Sequence, residues 1–307
     1  IAAGGYVGQM TWQGLLSSSI GLSIANPGHF LEAEIGVIPM AAYMGNGVNL
    51  FVTVALLLLP PAFAMLMHPA GGNVSPLEFD AIRAISEEEK AAPCRPESPT
   101  VGERLNFSPV ISGVIGLMGG IYIIYAFVTK GFSALDINFV NFIFFILGIL
   151  LHGNVANYIR AVTDAVSGAT GIIFQFPLYA GIQGMIKYSG LVGILSSAIV
   201  SISTPVTFYF WTFLSAAIIN MFVPSGGGQW AVQGPIAVAS AKMMDADVIK
   251  TCLMVGYGNT CTNMCQPFWT IALLGITGLK AKDIMGYSTA IMLCGGLIFV
   301  IASFLPI

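Results

Sequence analysis

The sequence predicts an all-α, polytopic membrane protein with inverted repeats, broken transmembrane helices and a re-entrant helical hairpin. Hydrophobic residues make up 56% of the 307 residues and charged residues only 8%, whereas an average soluble domain carries about 25% charged residues. Several apolar runs reach the roughly 20 residues that a bilayer crossing needs. Two of these runs are interrupted by glycine, proline and polar residues. Such breaks are tolerated at membrane depth only where they line a cavity or are buried in protein.

The first predicted element is a broken helix over residues 1–28. Gln13, Gly14 and the serines at 17–19 fall where a simple spanning helix would carry leucine or isoleucine. Close packing through small residues is the alternative interpretation. A span of about 20 apolar residues over Val48–Met67 follows, with a kink expected at Pro60-Pro61, and we assign residues 1–67 to the first repeat.

Residues 68–107 are predicted to be a polar loop between repeats, because they hold nearly half of the charged side chains of the chain. The second repeat then covers residues 108–307. Its first two hydrophobic helices are predicted over Ser108–Val128 and Phe139–Leu151, and residues 152–164 are expected to be a polar connection.

A re-entrant hairpin is predicted over residues 203–244, and its tip lies in the stretch FVPSGGGQWAVQGP, Phe222–Pro235. Pro224 lacks an N–H and cannot continue a helix. Gly226–Gly228 allow close approach to the backbone. We expect Gln229 to open a new helix, whose first N–H groups have no partner within it and whose N-terminus carries partial positive charge. Such a tip suits a small anion.

Residues 251–278 are predicted to be a second broken helix, similar to the first. Residues 5–28 and 256–278 both open with Gly-Tyr and become polar within a few residues, and Thr11 and Thr262 coincide when the two are superposed. Paired interrupted segments in two halves of a chain indicate a transporter's binding site. In the second half the hairpin precedes the broken helix, so we expect a matching hairpin upstream of Ile1.

The candidate site residues are neutral hydrogen-bonding groups, since no lysine or arginine lies within the spanning cores. A buried charge is costly unless it is paired or hydrogen-bonded, so a monoanion is expected rather than a dicarboxylate. An apolar tail could pack on Trp230, Phe268 or Trp269. The predicted ligand-binding residues are Ser225, Gly226, Gly227, Gly228, Gln229, Asn259, Thr260, Asn263 and Gln266, with Thr11, Gln13, Ser17, Ser18 and Ser19 as weaker candidates from the first repeat.

Other function classes find little support in the sequence. No basic footprint for nucleic acid is present, and the three histidines all border loops, so no catalytic set, metal site or cofactor is predicted. The five cysteines are interpreted as small packing residues. No Asp or Glu lies in the middle of a span to carry a proton. Coupling to Na⁺ through backbone carbonyls and to H⁺ through the substrate itself both stay open.

Several motifs together resemble the bacterial short-chain fatty acid transporter family. They are the hairpin stretch above, the GYGN and QPFW segment near 256–269, KDIMGYS at 282–288, and the early TW with its serine-rich break and ANPG. The resemblance implies uptake of butyrate or acetoacetate-like acids, a multi-pass protein of the inner membrane, and a homodimer. A carrier of another anion, such as a dicarboxylate, and a structural subunit of a membrane complex are the alternatives.

Overall fold

The structure is a computed structural model that describes residues 8–15, 18–68, 98–168, 188–266 and 280–306, together with positions 173–174, 177–178, 181 and 184–185. Within these residues every regular element is a helix. The predicted all-α fold class is therefore confirmed. The predicted division into repeats and linker stays a prediction.

The N-terminal segment is helical over residues 8–11, tightens into a 3-10 turn at Trp12–Gly14 and then breaks. Helix α1 (Ser19–Ile24) resumes after the break, and it begins there because the Ser18 hydroxyl accepts a hydrogen bond from Gly21 N at 3.0 Å. A serine cap of this kind satisfies one of the free amides of the first turn.

Two short helices, α2 (Glu32–Ile35) and α3 (Met40–Met44), lead from the broken segment to α4 (Gly47–Leu66). Helix α4 begins at Asn46, whose side chain accepts from Val48 N. It is one of three helices that are long and apolar enough to cross a membrane among the residues described.

The other two membrane-length helices are α6 (Pro109–Lys130) and a C-terminal helix, Ala281–Phe304. Within the predicted polar loop, α5 (Val101–Asn106) precedes α6. Helix α5 is set by a capping box between Thr100 and Glu103. Hydrogen bonds from the backbone and side chain of Thr100 lower the pKa of the exposed Glu103 carboxyl, since they favour its charged form.

Helix α7 (Ile137–Leu151) packs on α6 and is followed by α8 (Val155–Gly168). Most of the predicted polar connection over residues 152–164 is therefore helical. Asn157, Arg160 and Asp164 are spaced three and four residues apart, so they share one face of an amphipathic helix. Arg160 and Asp164 form an ion pair at 3.8 Å along it.

The hairpin region consists of α9 (Leu191–Ser201), α10 (Phe208–Asn220) and α11 (Gly226–Met243). Helix α11 begins at Gly226, three residues before the predicted start at Gln229, because Ser225 caps the glycine turn itself. The first N–H groups of α11 therefore belong to Gly226, Gly227 and Gly228.

Helix α12 (Val248–Asn263) lies at the centre of the molecule and is buried along nearly its whole length. It packs closely on α10, where Gly258 lies against the carbonyl of Phe213 and leaves no room for a side chain. The C-terminal helix, α13 (Ala281–Phe304), packs on α4 and α10. This packing brings the hairpin tip, the first break and α12 together.

Candidate functional site

The hairpin tip presents the free N-terminus of an 18-residue helix. The Ser225 hydroxyl accepts from Gly228 N at 3.2 Å, and Gln229 N donates to the Ser225 carbonyl at 2.7 Å. The amides of Gly226 and Gly227 donate no hydrogen bond to any part of the chain that the structure describes. Two bare donors thus lie at the positive end of α11, the arrangement that binds anions in proteins.

The first broken segment lies directly against this tip. A Cβ atom placed on Gly226 would be 2.5 Å from Ser19 Oγ and 2.7 Å from Gln13 Nε2, so only glycine fits without displacing them. Ser19 Oγ is buried and has no hydrogen-bond partner among the described residues. Because Ser19 is the first residue of α1, the N-termini of two helices meet here around an unused hydroxyl.

Behind the tip lies a group of buried amide side chains, which we call the amide cluster. Its members are Gln13, Asn220, Gln229, Gln233, Asn259 and Asn263, none more than 2% exposed. Asn259 is the central member: its Oδ1 accepts from Gln13 Nε2 at 2.9 Å, and its Nδ2 donates to Asn220 Oδ1 and to Gln229 Oε1, both at 2.8 Å.

The amide cluster continues on both sides of Asn259. Gln229 Nε2 donates to the Ala216 carbonyl at 2.9 Å and to Gln233 Oε1 at 2.8 Å. Asn220 Nδ2 donates to Asn263 Oδ1 at 2.8 Å. The predicted site residues Gln13, Gln229, Asn259 and Asn263 are thus brought together, but their amides bond largely to one another. They form a neutral, rigid wall rather than a set of free donors.

The first break is held by residues from α3, α4 and α12. Asn49 Nδ2 donates to the carbonyls of Gly14 and Met44, both at 2.8 Å, and Asn49 Oδ1 accepts from Tyr257 OH at 2.7 Å. Tyr43 OH donates to the Gln13 carbonyl at 3.0 Å. These side chains satisfy the carbonyls that a terminated helix leaves without partners.

The remaining predicted residues have different surroundings. Thr260 accepts from Trp12 Nε1 at 3.1 Å and donates to the Gln9 carbonyl, so it joins α12 to the first break. Thr11 donates to the Gly8 carbonyl one turn earlier. Gln266 Nε2 donates to the Asn220 carbonyl at 3.0 Å, and its Oε1 is buried without a partner in the described structure. Ser17, Phe268 and Trp269 lie outside the described residues.

The sequence prediction did not include several residues that build this centre: Asn49, Tyr43, Tyr257, Asn220, Gln233 and Trp12. A pattern that could have found two of them is a single amide inside an apolar run, as Asn49 is in GVNLFV and Asn220 in AAIINMF. Polar groups in such positions are expensive unless they bond to a partner. The aromatic residues carry no such pattern.

Interrupted helices whose ends meet polar side chains between membrane-length helices are the architecture of secondary transporters. The chain belongs to the family described as "Short chain fatty acid transporter", whose pattern it matches over residues 1–305. It is similar to a putative short-chain fatty acid transporter of Escherichia coli K12, with 38% identity over 96% of this chain and 66% of the relative.

A second relative, the putative short-chain fatty acid transporter of Haemophilus influenzae Rd, is 36% identical over 96% of this chain and 67% of its own length. The chain thus spans about two thirds of the length of these curated relatives. No solved structure matches it.

Proposed function

We propose that this chain forms part of a secondary transporter of short-chain monocarboxylates such as butyrate, and that the substrate carboxylate binds at the N-terminus of α11. One observation carries the proposal: the bare amides of Gly226 and Gly227 lie beside the buried, unpartnered hydroxyl of Ser19. The family and the names of the two relatives support the substrate class.

The donors suit one carboxylate. Two amides and one hydroxyl supply three hydrogen bonds to two oxygens, and the positive end of α11 adds attraction for a negative charge. The side chains that bond to or pack on this tip in the described structure include no lysine or arginine. A second carboxylate would therefore be buried without a counter-charge, which favours a monoacid over a dicarboxylate.

The amide cluster, which lies behind the tip, also supports the proposal. Its uncharged side chains fix the position of the tip through Gln229 and of the first break through Gln13. Because its amides are already bonded, binding requires no reorganisation of the cluster, and a preorganised donor set loses less free energy on binding.

The experiment is uptake of labelled butyrate by the full-length protein in liposomes, with Ser19→Ala compared with Ser23→Ala on the same helix. A hydrogen bond to a charged group contributes about 1.5–3 kcal/mol, so Ser19→Ala should raise the KM for butyrate about ten- to a hundredfold. Ser23→Ala should behave as the wild type.

An unchanged KM in Ser19→Ala at normal expression would remove this hydroxyl from the site. Failure of the wild-type protein to take up any short-chain monoacid would refute the transport function itself. Competition with unlabelled dicarboxylates separates the two anion classes, because a dicarboxylate carrier would be inhibited by them more strongly than by butyrate.

We further propose that transport is coupled to Na⁺ or H⁺. We also propose that the full protein is a multi-pass protein of the inner membrane and that it functions as a homodimer. The neutral oxygens of the centre are the type of ligand that Na⁺ accepts in broken-helix transporters. Uptake with and without Na⁺, at fixed pH and membrane potential, distinguishes the two ions: a strict Na⁺ requirement supports a sodium symporter, and uptake that follows only the pH gradient supports proton symport.

A further inference from the structure

Trp12 is an aromatic residue that touches the hairpin tip. It lies in the 3-10 turn at the first break and keeps part of its surface exposed. Its Cη2 atom lies 3.1 Å from the position that a Cβ on Gly226 would occupy. An apolar ring edge therefore borders the same glycine whose amide is bare and whose other close neighbours are Ser19 and Gln13.

The orientation of this ring is fixed by hydrogen bonds. Trp12 Nε1 donates to Thr260 Oγ1 at 3.1 Å, and the Thr260 hydroxyl donates in turn to the Gln9 carbonyl. Rotation of the indole would break the first bond and leave a donor without a partner at a partly buried site. The ring edge is thus a rigid boundary and not an adaptable surface.

Trp230, one of the three residues that the sequence suggested for contact with an apolar tail, is placed differently. It is 1% exposed, and its ring atoms fill the space beside Gly234, where an added Cβ would lie 2.9 Å from them. The ring of Phe30 also lies near Trp230, with the two ring centroids 6.4 Å apart. A ligand could reach this ring only if the core opened.

We infer that Trp12 determines the chain length of the acids that the site accepts; this inference rests on the proposed function. A carboxylate held by Gly226, Gly227 and Ser19 starts its acyl chain beside the indole edge. A short acyl chain would contact the ring edge, and a longer chain would meet a wall that hydrogen bonds hold in place. Preference for short acids then follows from one side chain.

The test is a chain-length series, acetate to octanoate, measured as kcat/KM for uptake by the full-length protein and its Trp12→Phe and Trp12→Leu variants. One methylene changes discrimination by about 10- to 200-fold in hydrophobic pockets. We expect the ratio of butyrate to hexanoate to fall about tenfold or more in Trp12→Leu, and by less in Trp12→Phe, which keeps a smaller ring.

Trp230→Phe is the matched control, since it shortens a tryptophan that packs in the core. It should lower thermal stability and leave the butyrate-to-hexanoate ratio unchanged. A shift of that ratio in Trp230→Phe but not in the Trp12 variants would overturn the inference, as would an unchanged ratio in both Trp12 variants with uptake retained. Wild-type protein that takes up no monoacid of the series refutes the underlying function instead.

Photolabelling tests the same contact in the wild-type protein, whether or not the variants fold. A butyrate analogue with a diazirine at its terminal carbon should label the peptide that contains Trp12, and excess butyrate should prevent the labelling. Specific labelling of Trp230 instead, or no butyrate-protected label on the Trp12 peptide, would show that the tail points elsewhere.

Discussion

The hairpin tip and the amide cluster are neighbouring polar regions with opposite hydrogen-bonding states. At the tip, the amides of Gly226 and Gly227 and the hydroxyl of Ser19 have no partner in the described structure. In the cluster, the Asn259 amide alone makes three hydrogen bonds to other side chains. Both regions are neutral, but the cluster is buried, whereas Gly227 at the tip is exposed.

From this difference we assign substrate binding to the hairpin tip and a structural, supporting role to the amide cluster. Buried polar groups are nearly always hydrogen-bonded in folded proteins, so the cluster obeys the general rule and the buried Ser19 hydroxyl at the tip departs from it. A departure at the end of a helix is what a site that awaits an anion requires. From residue type alone, both regions would be predicted to bind the ligand.

The largest effect is expected from breaking the cluster at its centre. Asn259→Leu would leave Gln13, Asn220 and Gln229 each short of one hydrogen bond, at a cost of about 1–3 kcal/mol for each buried group. We expect a loss of more than about 3 kcal/mol and a sharp fall in the yield of folded protein. Thermal unfolding in detergent measures this loss of stability.

Asn138→Leu is the control for this change, because Asn138 is exposed on α7. It should leave the unfolding midpoint nearly unchanged. Equal stability of Asn259→Leu and the wild type would mean that the cluster does not hold the centre together.

A smaller effect is expected from adding a methyl group at the tip. Gly226→Ala would meet Ser19 Oγ and Gln13 Nε2, whereas the nearest atom to a Cβ on Gly227 is Ser19 Cβ at 3.9 Å. Overpacking costs about 1–3 kcal/mol, and here it displaces the Ser19 donor, so Gly226→Ala should raise the KM for butyrate about fivefold or more. Gly227→Ala should raise it less; the reverse order would contradict the described packing of the tip.

The helix cap provides a third comparison. Ser225→Ala removes the acceptor for Gly228 N and should cost about 1 kcal/mol, with a loss of uptake no larger than the loss of folded protein. Ser225→Thr keeps the cap and should retain uptake. If Ser225→Ala abolishes uptake without lowering stability, the hydroxyl binds the substrate directly, and the tip has one donor more than we assign.

The smallest effect is expected outside both regions. Lys242 at the far end of α11 pairs with Glu34 on α2, and the two side chains are 45% and 55% exposed. Exposed pairs contribute at most about 1 kcal/mol. A double-mutant cycle with Lys242→Met and Glu34→Gln should give a coupling energy below that value and decreasing with salt; stronger coupling would indicate that this contact helps to hold the hairpin.

Local features of the sequence predicted much of this arrangement. Pro224 and the three glycines indicated the hairpin tip, and Gln13, Gly14 and the serines indicated the first break, because backbone preferences act over a few residues. The helix α11 begins three residues before the position that the sequence predicts, because Ser225 caps it ahead of the glycines. The helix at Val155–Gly168 lies where the sequence predicts a polar connection, because its polar residues fall on one helix face.

The sequence by itself determined the fold class, the positions of the first break and of the hairpin tip, and the neutral chemistry of the centre, since these follow from composition and local backbone chemistry. The predicted second break over residues 251–278 stays a prediction, because α12 is continuous over Val248–Asn263 and residues 267–279 lie outside the described structure. Only the tertiary structure decided which polar groups are hydrogen-bonded within the protein and which have no partner in the described structure. Asn259 meets Gln13 and Trp12 meets Gly226 across more than two hundred residues of chain. Hydrogen-bond satisfaction depends on distances between such residues, and no local pattern contains those distances.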